Sequence, residues 1–415
     1  MVRYWDLSGL RCQVKTSSNY FFIVLIRIYN MNKVFLLSAA GTSYGKADLT
    51  ARDLSMLASK RAIERAGIKS HDIQAAFIAN AFGMAEKQGH LGPLLMSSLG
   101  IPHAPSSTIE AACCSGGSAI REAYINVASG FYDVVLVAGT EKISHLDTLT
   151  ATTYFSYGGD YCFEGNSGAS FPGLYATMAR SHMHEYGTTE EELAAVAVKN
   201  HENGFLNDKA HFQKKITIDD VLKSAVVADP LKLYDSCPFS DGAAAAIIAS
   251  EEFMDKNNLQ KRVTIKGSGR SGGSGSLHTR KNMTSLESTI RASREALKHA
   301  NINIKDIDFA EVHDCFTIAE IIAMEDLGIF EKGEASKAVV EGRTTINGDI
   351  PINPSGGLKS KGHPVGATGV GQIVEVFEQL TGDSKKRQVK DARIGLTHNV
   401  GATGGSCAVH IFESE

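Results

Sequence analysis

The sequence predicts an α/β fold built from two similar halves, and three observations lead to this prediction. Short apolar runs alternate with stretches in which apolar residues recur at helical spacing, as in parallel sheets covered by helices. The stretch 66–82 aligns without a gap on the stretch 300–316, which indicates an internal duplication. Each half also contains a turn of small residues that leads into a helix, and these turns are opened by Cys113 and His363.

The elements of each half follow from these patterns in chain order. In the first half we predict strands at 34–40, 134–139 and within 240–250, and helices at 49–66 and 189–201. In the second half we predict strands at 263–266 and 393–397, a helix at 286–300 and a loop at 267–276. The segment from about 144 to about 229 is rich in Tyr, His, Met and Gly, and we expect it to be an insertion that lies over the site.

We divide the chain into a first half at 31–255, which includes the insertion, and a second half at 256–415. Residues 1–30 differ from the rest and form a predicted extension, either disordered or not native, because Met31 precedes the first strand directly. The apolar run at 20–30 is too short to span a bilayer and contains Arg27, so a membrane anchor is the minor alternative.

Composition excludes several classes of function. The net charge of −4 gives no bias towards nucleic acid or an anionic membrane. The 7 cysteines are widely spaced without a CxxC pair, which argues against a disulfide framework and a structural zinc site and favours the cytoplasm. His182, His184 and His201 lie in the insertion without a supporting carboxylate motif, so we predict surface histidines there and no metal site.

Three motifs carry the predicted chemistry. Cys113 opens CCSGGSA at the amino end of a helix, where the helix dipole is expected to lower the thiol pKa; a buried inert cysteine is the alternative. HDCF at 313–316 places reactive side chains directly after a buried strand. His363 lies on a glycine-rich turn, where it is either a base or a structural cap of the loop. A cysteine and two histidines are the groups needed for acyl transfer through a thioester.

These motifs, CxSG, HDCF, GHPxGATG and a terminal HNxGxxGG, occur in the order found in thiolases, and the chain resembles that family from about residue 32 to 415. HDCF in place of NEAF resembles the branch of sterol-carrier-protein-type thiolases and archaeal acetyl-CoA acetyltransferases. The resemblance implies two duplicated βαβαβαββ halves that form a five-layered αβαβα core with an inserted loop domain.

The resemblance also implies a role for each motif residue. Cys113 corresponds to the nucleophile that becomes acylated, and His363 to the base that takes its proton. His313 corresponds to the asparagine of NEAF, so with His363 it is expected to hold the thioester oxygen of the second substrate. Asn399 stands where other thiolases carry a second catalytic cysteine, so the transfer of the α proton falls to Cys315. The amides of Cys113 and Gly401 are expected to form the oxyanion hole of the acyl-enzyme.

Four further residues are candidates for binding the substrate. Ser274 and Gly275 belong to the glycine- and serine-rich loop. This loop is predicted either to lie near bound CoA or to be a surface loop without such a role. Met178 is predicted either to line the acyl pocket or to pack in the core. Asn399 is the fourth candidate.

The function predicted from the resemblance is acetyl-CoA C-acetyltransferase, which condenses two acetyl-CoA molecules or runs in reverse. The alternatives are a 3-ketoacyl-CoA thiolase of broader chain length, an acyltransferase to a non-CoA acceptor, and a non-catalytic scaffold or lipid-binding protein. The resemblance implies acyl-CoA substrates, no metal or other cofactor, and a homodimer or homotetramer. It further implies a complex with hydroxymethylglutaryl-CoA synthase through a bridging protein with a zinc ribbon and an OB fold. Neither nucleic acid nor membrane is an expected partner.

Overall fold

A computed structural model describes residues 32–415, so the predicted extension 1–30 lies outside the described residues. The strands are β1 (Val34–Gly41), β2 (Ala75–Ala79), β3 (Ser106–Ile109), β4 (Val134–Glu141), β5 (Val226–Ala228), β6 (Leu231–Lys232), β7 (Gly242–Ser250), β8 (Val263–Gly272), β9 (Phe309–Glu311), β10 (Ile394–Gly401) and β11 (Ser406–Ser414). The helices are α1 (Ala51–Ala66), α2 (Leu91–Ser98), α3 (Ser115–Ala128), α4 (Thr148–Ser156), α5 (Phe171–Tyr186), α6 (Glu190–Phe205), α7 (Ile218–Leu222), α8 (Glu251–Lys256), α9 (Glu287–Ala300), α10 (Thr317–Asp326), α11 (Ala335–Val340), α12 (Gly357–Ser360) and α13 (Thr368–Leu380).

The sheet shows the predicted duplication directly. Its strands lie in the order β3-β2-β4-β7-β1-β8-β11-β10-β9. The series β2-β4-β7-β1 in the first half corresponds to β9-β10-β11-β8 in the second, and the halves meet where Phe35 of β1 pairs with Thr264 of β8. The predicted two-half α/β fold is therefore confirmed.

This sheet contains both parallel and antiparallel strands, whereas the sequence pattern predicted parallel strands only. β7 runs antiparallel to both β1 and β4, and β11 runs antiparallel to both β8 and β10. The connection between β10 and β11 explains the second case, since residues 402–405 are too few for the crossover that a parallel pair requires.

Helices α3 and α13 form the middle one of five layers. They lie between the two halves of the sheet, while α1 covers the outer face of the first half and α9 that of the second. The middle helices approach closely because glycines face each other: a Cβ added to Gly116 would lie 2.8 Å from the Cα of Gly369. This close approach brings the amino ends of α3 and α13, and hence the turns before them, together.

The loop predicted at 267–276 begins later than expected, because β8 continues to Gly272. Gly267 and Gly269 serve packing rather than a turn. A Cβ added to Gly267 would lie 2.4 Å from the Ala296 oxygen, and one added to Gly269 would lie 2.0 Å from the Ala292 oxygen. The glycines therefore let α9 lie directly on the strand.

The insertion contains α4 to α7 and packs α5 and α6 against the second half. This packing corrects the prediction for its histidines: His182 and His201 are buried, whereas His184 is exposed. The His182 ring contacts Thr188 Oγ1 at 2.8 Å and Glu325 Oε2 at 3.1 Å, so the two sides of the interface supply its partners. No helix within residues 32–415 combines the length and apolar character needed to cross a membrane.

Candidate active site

The three predicted motifs meet at one point. Cys113 lies just before α3, His313 between β9 and α10, and His363 between α12 and α13. The Cys113 sulfur and one ring nitrogen of each histidine all lie within 4.8 Å of one another, and the two rings are 5.3 Å apart between centroids. Nε2 of both histidines is buried and has no hydrogen-bond partner among residues 32–415, which leaves both nitrogens available to a substrate.

Two of these three residues, Cys113 and His363, border a cavity of about 360 Å³. Cys113, Cys315 and His363 lie on its wall. Most of the remaining wall is apolar, and it includes side chains from both halves and from the insertion: Phe82, Phe155, Phe171, Tyr175, Pro238, Phe239 and Phe316. An apolar cavity with a few convergent polar groups is the usual form of a small-molecule site.

The HDCF turn is held by the buried carboxylate of Asp314. This carboxylate accepts hydrogen bonds from Asn200 Nδ2 at 2.8 Å, from the Leu358 amide at 2.7 Å and from the Lys359 amide at 3.2 Å. The donors come from the insertion helix α6 and from the segment that precedes His363. Asp314 therefore fixes its neighbours in the turn relative to both of these elements.

The turn with His363 is held from the first half. The Glu141 carboxylate, at the end of β4, accepts hydrogen bonds from the amides of Ala81, Phe82 and Gly366 at 3.0–3.1 Å. The hydroxyl of Ser240 accepts a further bond from the His363 amide at 3.2 Å. The GHP turn is thus tied to the strand ends that surround the cavity.

The partners of His363 assign its proton. Nδ1 lies 2.6 Å from Thr368 Oγ1, and that hydroxyl donates its own hydrogen to the Pro364 oxygen at 3.0 Å. The hydroxyl can therefore only accept from Nδ1, which places the proton on Nδ1 and a lone pair on Nε2. Burial lowers the pKa of His363 to about 3, so the ring is neutral and Nε2 is available as a base at physiological pH.

Cys113 lies at the amino end of a helix, as predicted, but its thiol pKa does not follow the prediction. Burial raises the pKa of Cys113 to about 12 and outweighs the lowering effect of the Ala402 amide. The expectation of a lowered pKa was therefore wrong, because burial destabilises the thiolate more than the amino end of the helix stabilises it. The resting pair is a neutral thiol beside a neutral imidazole, and the proton moves when the thiol attacks.

This pKa predicts how Cys113 reacts with an alkylating reagent. Far below the pKa, the thiolate fraction increases tenfold per pH unit, so we expect alkylation by iodoacetamide to accelerate continuously from about pH 7 to pH 10. Mass spectrometry of the Cys113 peptide measures the rate. In denaturant the same thiol should reach its maximal rate above about pH 9. A plateau near neutral pH in the folded protein would instead reveal a thiolate–imidazolium pair.

The backbone around Cys113 is adapted to the site. Gly401, predicted for the oxyanion hole, is the last residue of β10 and pairs with Ser406. The next residue, Ala402, borders the cavity, and its amide acts to lower the pKa of the Cys113 thiol. Ala112 and Ala402 have φ angles of 49° and 54°, a conformation that costs energy outside glycine and is retained where the site requires it. The Gly401 amide stays the predicted second donor of the oxyanion hole, one residue before the strained position of Ala402.

The four predicted substrate-binding residues do not line this cavity. Met178 is fully buried in the core between the insertion and the second half. Ser274 is half-buried and Gly275 exposed in the loop that follows β8. Asn399 is buried behind Cys113, where its side chain is bonded to the Gly117 amide and the Cys113 oxygen.

Two cavity residues escaped the sequence analysis. Tyr175 stacks on Phe316 with 4.7 Å between ring centroids, and its hydroxyl donates to the Ala402 oxygen at 2.9 Å beside the Cys315 thiol. Cys237 borders the cavity, and its amide donates to the Cys315 oxygen at 3.0 Å. Tyr175 lies one turn before Met178 on α5, so helical spacing places the two on the same face. The spacing does not show which face of α5 meets the cavity.

A half-buried cysteine beside a neutral histidine, with a second thiol on the same apolar wall, is an arrangement that suits acyl transfer through a thioester. Comparison with known proteins agrees with this class. Residues 34–252 match the model of the thiolase N-terminal domain, and residues 269–414 match that of the thiolase C-terminal-like domain. The chain belongs to the thiolase family and is an acyltransferase.

Similar proteins support this assignment. Acetyl-CoA acetyltransferase of Methanothermobacter thermautotrophicus is 46% identical over 92% of this chain and all of its own length. Sterol carrier protein 2 of Bos taurus is 33% identical over 92% of this chain and 72% of its own length. Among solved structures, human mitochondrial 3-ketoacyl-CoA thiolase superimposes with a TM-score of 0.72 at 20% identity, covering 92% of this chain and 99% of that one.

Proposed function

We propose that this protein is an acetyl-CoA C-acetyltransferase that joins two acetyl-CoA molecules to acetoacetyl-CoA and CoA, or cleaves acetoacetyl-CoA in reverse. The observation that carries the proposal is the meeting of Cys113, His313 and His363 within 4.8 Å of one another, with Cys315 on the wall of the cavity that Cys113 and His363 border. The 46% identity to an archaeal acetyl-CoA acetyltransferase over the whole of that protein supports the choice of substrate.

In the first half-reaction, His363 Nε2 takes the proton of the Cys113 thiol while the sulfur attacks the thioester carbonyl. The amides of Cys113 and Gly401, the predicted oxyanion hole, hold the oxygen of the tetrahedral intermediate. Its collapse breaks the bond to CoA, which leaves with the proton from His363, and Cys113 is left acetylated. Neutral forms of thiol and imidazole suit this step because no charge exists in the apolar cavity before the attack.

In the second half-reaction, Cys315 gives its proton to the free Nε2 of His363 and, as thiolate, takes the α proton of another acetyl-CoA. The enolate oxygen is held by His313 and by the protonated ring of His363, and the enolate carbon attacks the acetyl carbonyl on Cys113. The Cys113 thiolate leaves as the new carbon–carbon bond forms. His363 returns its proton to the Cys113 thiolate at the end of the step. A thioester is acidic enough for this base when its oxygen is held by hydrogen-bond donors, and one such donor typically lowers the barrier by about 3–4 kcal/mol.

The first experiment is to measure the loss of acetoacetyl-CoA with and without CoA. CoA-dependent cleavage with release of acetyl-CoA is the expected result, and both products are followed by chromatography. A protein that acquires an acetyl group on Cys113 from acetyl-CoA but never cleaves acetoacetyl-CoA would contradict the proposal and favour transfer to a non-CoA acceptor.

A thiolase of broader chain length is the second candidate, and the cavity wall favours it. Phe82, Phe155 and Phe239 form a row with 5.0 and 5.1 Å between ring centroids, an apolar surface suited to an acyl chain longer than acetyl. Comparing kcat/KM for 3-ketoacyl-CoA substrates of increasing chain length separates the two candidates, because only a broad thiolase retains its activity on the longer chains.

Assembly and compartment complete the proposal. The chemistry runs on thiols, imidazoles and backbone amides, so CoA thioesters suffice as substrates without a further cofactor. The outer strand β3 leaves one edge of the sheet open within the described chain, which suits the predicted homodimer or homotetramer. The six cysteines within residues 32–415 are free, which supports a cytoplasmic location. The complex with hydroxymethylglutaryl-CoA synthase stays a prediction, and purification as a lone homo-oligomer would contradict it.

A further inference from the structure

Asn399 is a buried amide that joins three parts of the site. Its Oδ1 accepts a hydrogen bond from the Gly117 amide at 3.0 Å, and its Nδ2 donates to the Cys113 oxygen at 2.9 Å. The same Nδ2 lies 3.4 Å from Nδ1 of His313. The side chain is therefore connected to helix α3, to the nucleophile's backbone and to the histidine of HDCF.

The first two contacts determine which way round the amide lies. If the amide were reversed, its oxygen would face the Cys113 oxygen and its NH2 group would face the Gly117 amide, so two attractive contacts would become repulsive. The NH2 group therefore points towards His313. Since this group has hydrogens and no usable lone pair, Nδ1 of His313 must be the acceptor.

We infer that Asn399 is a positioning residue that fixes His313 in the tautomer with its proton on Nε2. Nε2 then carries an N–H group that has no partner within the described chain, on a ring 5.3 Å from that of His363 between centroids. His363 has the opposite tautomer, so the two neighbouring rings are a donor and an acceptor. The inference rests on the proposed function, in which His313 donates to the enolate oxygen.

The same assignment bears on metal binding. The sulfur and the two ring nitrogens are near enough to one another to hold a single ion, and two histidines with a cysteine are ligands that zinc accepts. A histidine binds zinc through a lone pair, which an Nε2–H group lacks. Asn399 thus keeps His313 as a hydrogen-bond donor to the thioester oxygen and prevents it from binding zinc through Nε2.

Asn399→Asp tests this directly. Asp retains an oxygen for the Gly117 amide. Its second oxygen loses the bond to the Cys113 oxygen, as the control below loses its bond to Ser355, but it offers His313 an acceptor, so the proton moves to Nδ1 and Nε2 acquires a lone pair. We expect acetoacetyl-CoA cleavage to fall by about 100- to 1000-fold while acetylation of Cys113 by acetyl-CoA falls by less than about tenfold. We also expect the concentration of Zn²⁺ that blocks Cys113 alkylation to fall by about 10- to 100-fold.

Asn207→Asp is the matched control. Asn207 is equally buried, its Nδ2 donates to the Ser355 oxygen at 2.8 Å and its Oδ1 accepts from the Lys209 amide at 3.1 Å, but it is not bonded to a histidine. It should lack the change in zinc sensitivity. The inference is overturned if Asn399→Asp cleaves acetoacetyl-CoA like wild type, or if cleavage and acetylation fall together with zinc sensitivity unchanged. If wild type itself cleaves nothing, the proposed function fails, and the zinc comparison still decides the tautomer.

Discussion

Cys113→Ala is expected to abolish both half-reactions. The alanine side chain has no nucleophilic atom. The neighbouring Cys114 cannot replace Cys113, because the Cys114 sulfur is buried and donates to the backbone oxygen of Asn399 at 3.1 Å. Loss of a catalytic nucleophile typically lowers kcat by about 10⁴-fold or more. We expect no acetyl adduct by mass spectrometry after incubation with acetyl-CoA, and acetoacetyl-CoA cleavage at background.

The control for this variant is Cys162→Ala, since Cys162 is exposed in the insertion and away from the cavity wall. It should acetylate and turn over like wild type. An acetyl adduct on the Cys113→Ala protein would show that another thiol accepts the acyl group. Peptide mapping would then identify that thiol, with Cys237 on the cavity wall as the first to examine.

The main elements of the site were predictable because local residue types determine them. Small residues after Cys113 and around His363 specify a turn before a helix, and polar HDCF after an apolar strand specifies a strand end. The duplication then places both turns at the same level of the core, since corresponding strands end on the same side. Sequence alone could therefore bring Cys113, His313 and His363 together.

What the sequence missed depends on packing between distant segments. Tyr175 is one of several apolar residues on α5, and only the docking of that helix decides which of them faces the cavity. The burial of His182 arises in the same way from contact with the second half. The thiol pKa of Cys113 also belongs to this group, because the loss of water around a side chain is a property of the folded protein.

Asn399 illustrates a third case. The resemblance identified its position as one that carries a cysteine in other thiolases, but not what the amide does there. Its function became visible only through three contacts with Gly117, Cys113 and His313, which come from other parts of the chain. A residue type that differs from the family pattern thus marked a place to examine, and the structure supplied the physical reason.

Cys315→Ala is expected to separate the two half-reactions. Cys315 borders the cavity, and burial raises the pKa of its thiol well above the usual value, so this group is a strong base once ionised. Without it, no thiol is placed by the HDCF turn to move the α proton. Acetylation of Cys113 uses His363 instead and should continue near the wild-type rate. We expect acetyl-enzyme to accumulate while condensation and cleavage fall by about 10²- to 10⁴-fold, the usual contribution of an acid or base.

Cys237→Ala is the control for this variant. Cys237 is a further thiol on the cavity wall, and its amide is hydrogen-bonded to the Cys315 oxygen. If Cys315 moves the proton, Cys237→Ala retains most of its turnover. The reverse pattern, in which Cys315→Ala turns over and Cys237→Ala stops at the acetyl-enzyme, would transfer the acid–base role to Cys237. Failure of both variants to become acetylated would mean instead that the two thiols support the cavity around Cys113, so the choice of Cys315 as base would be wrong.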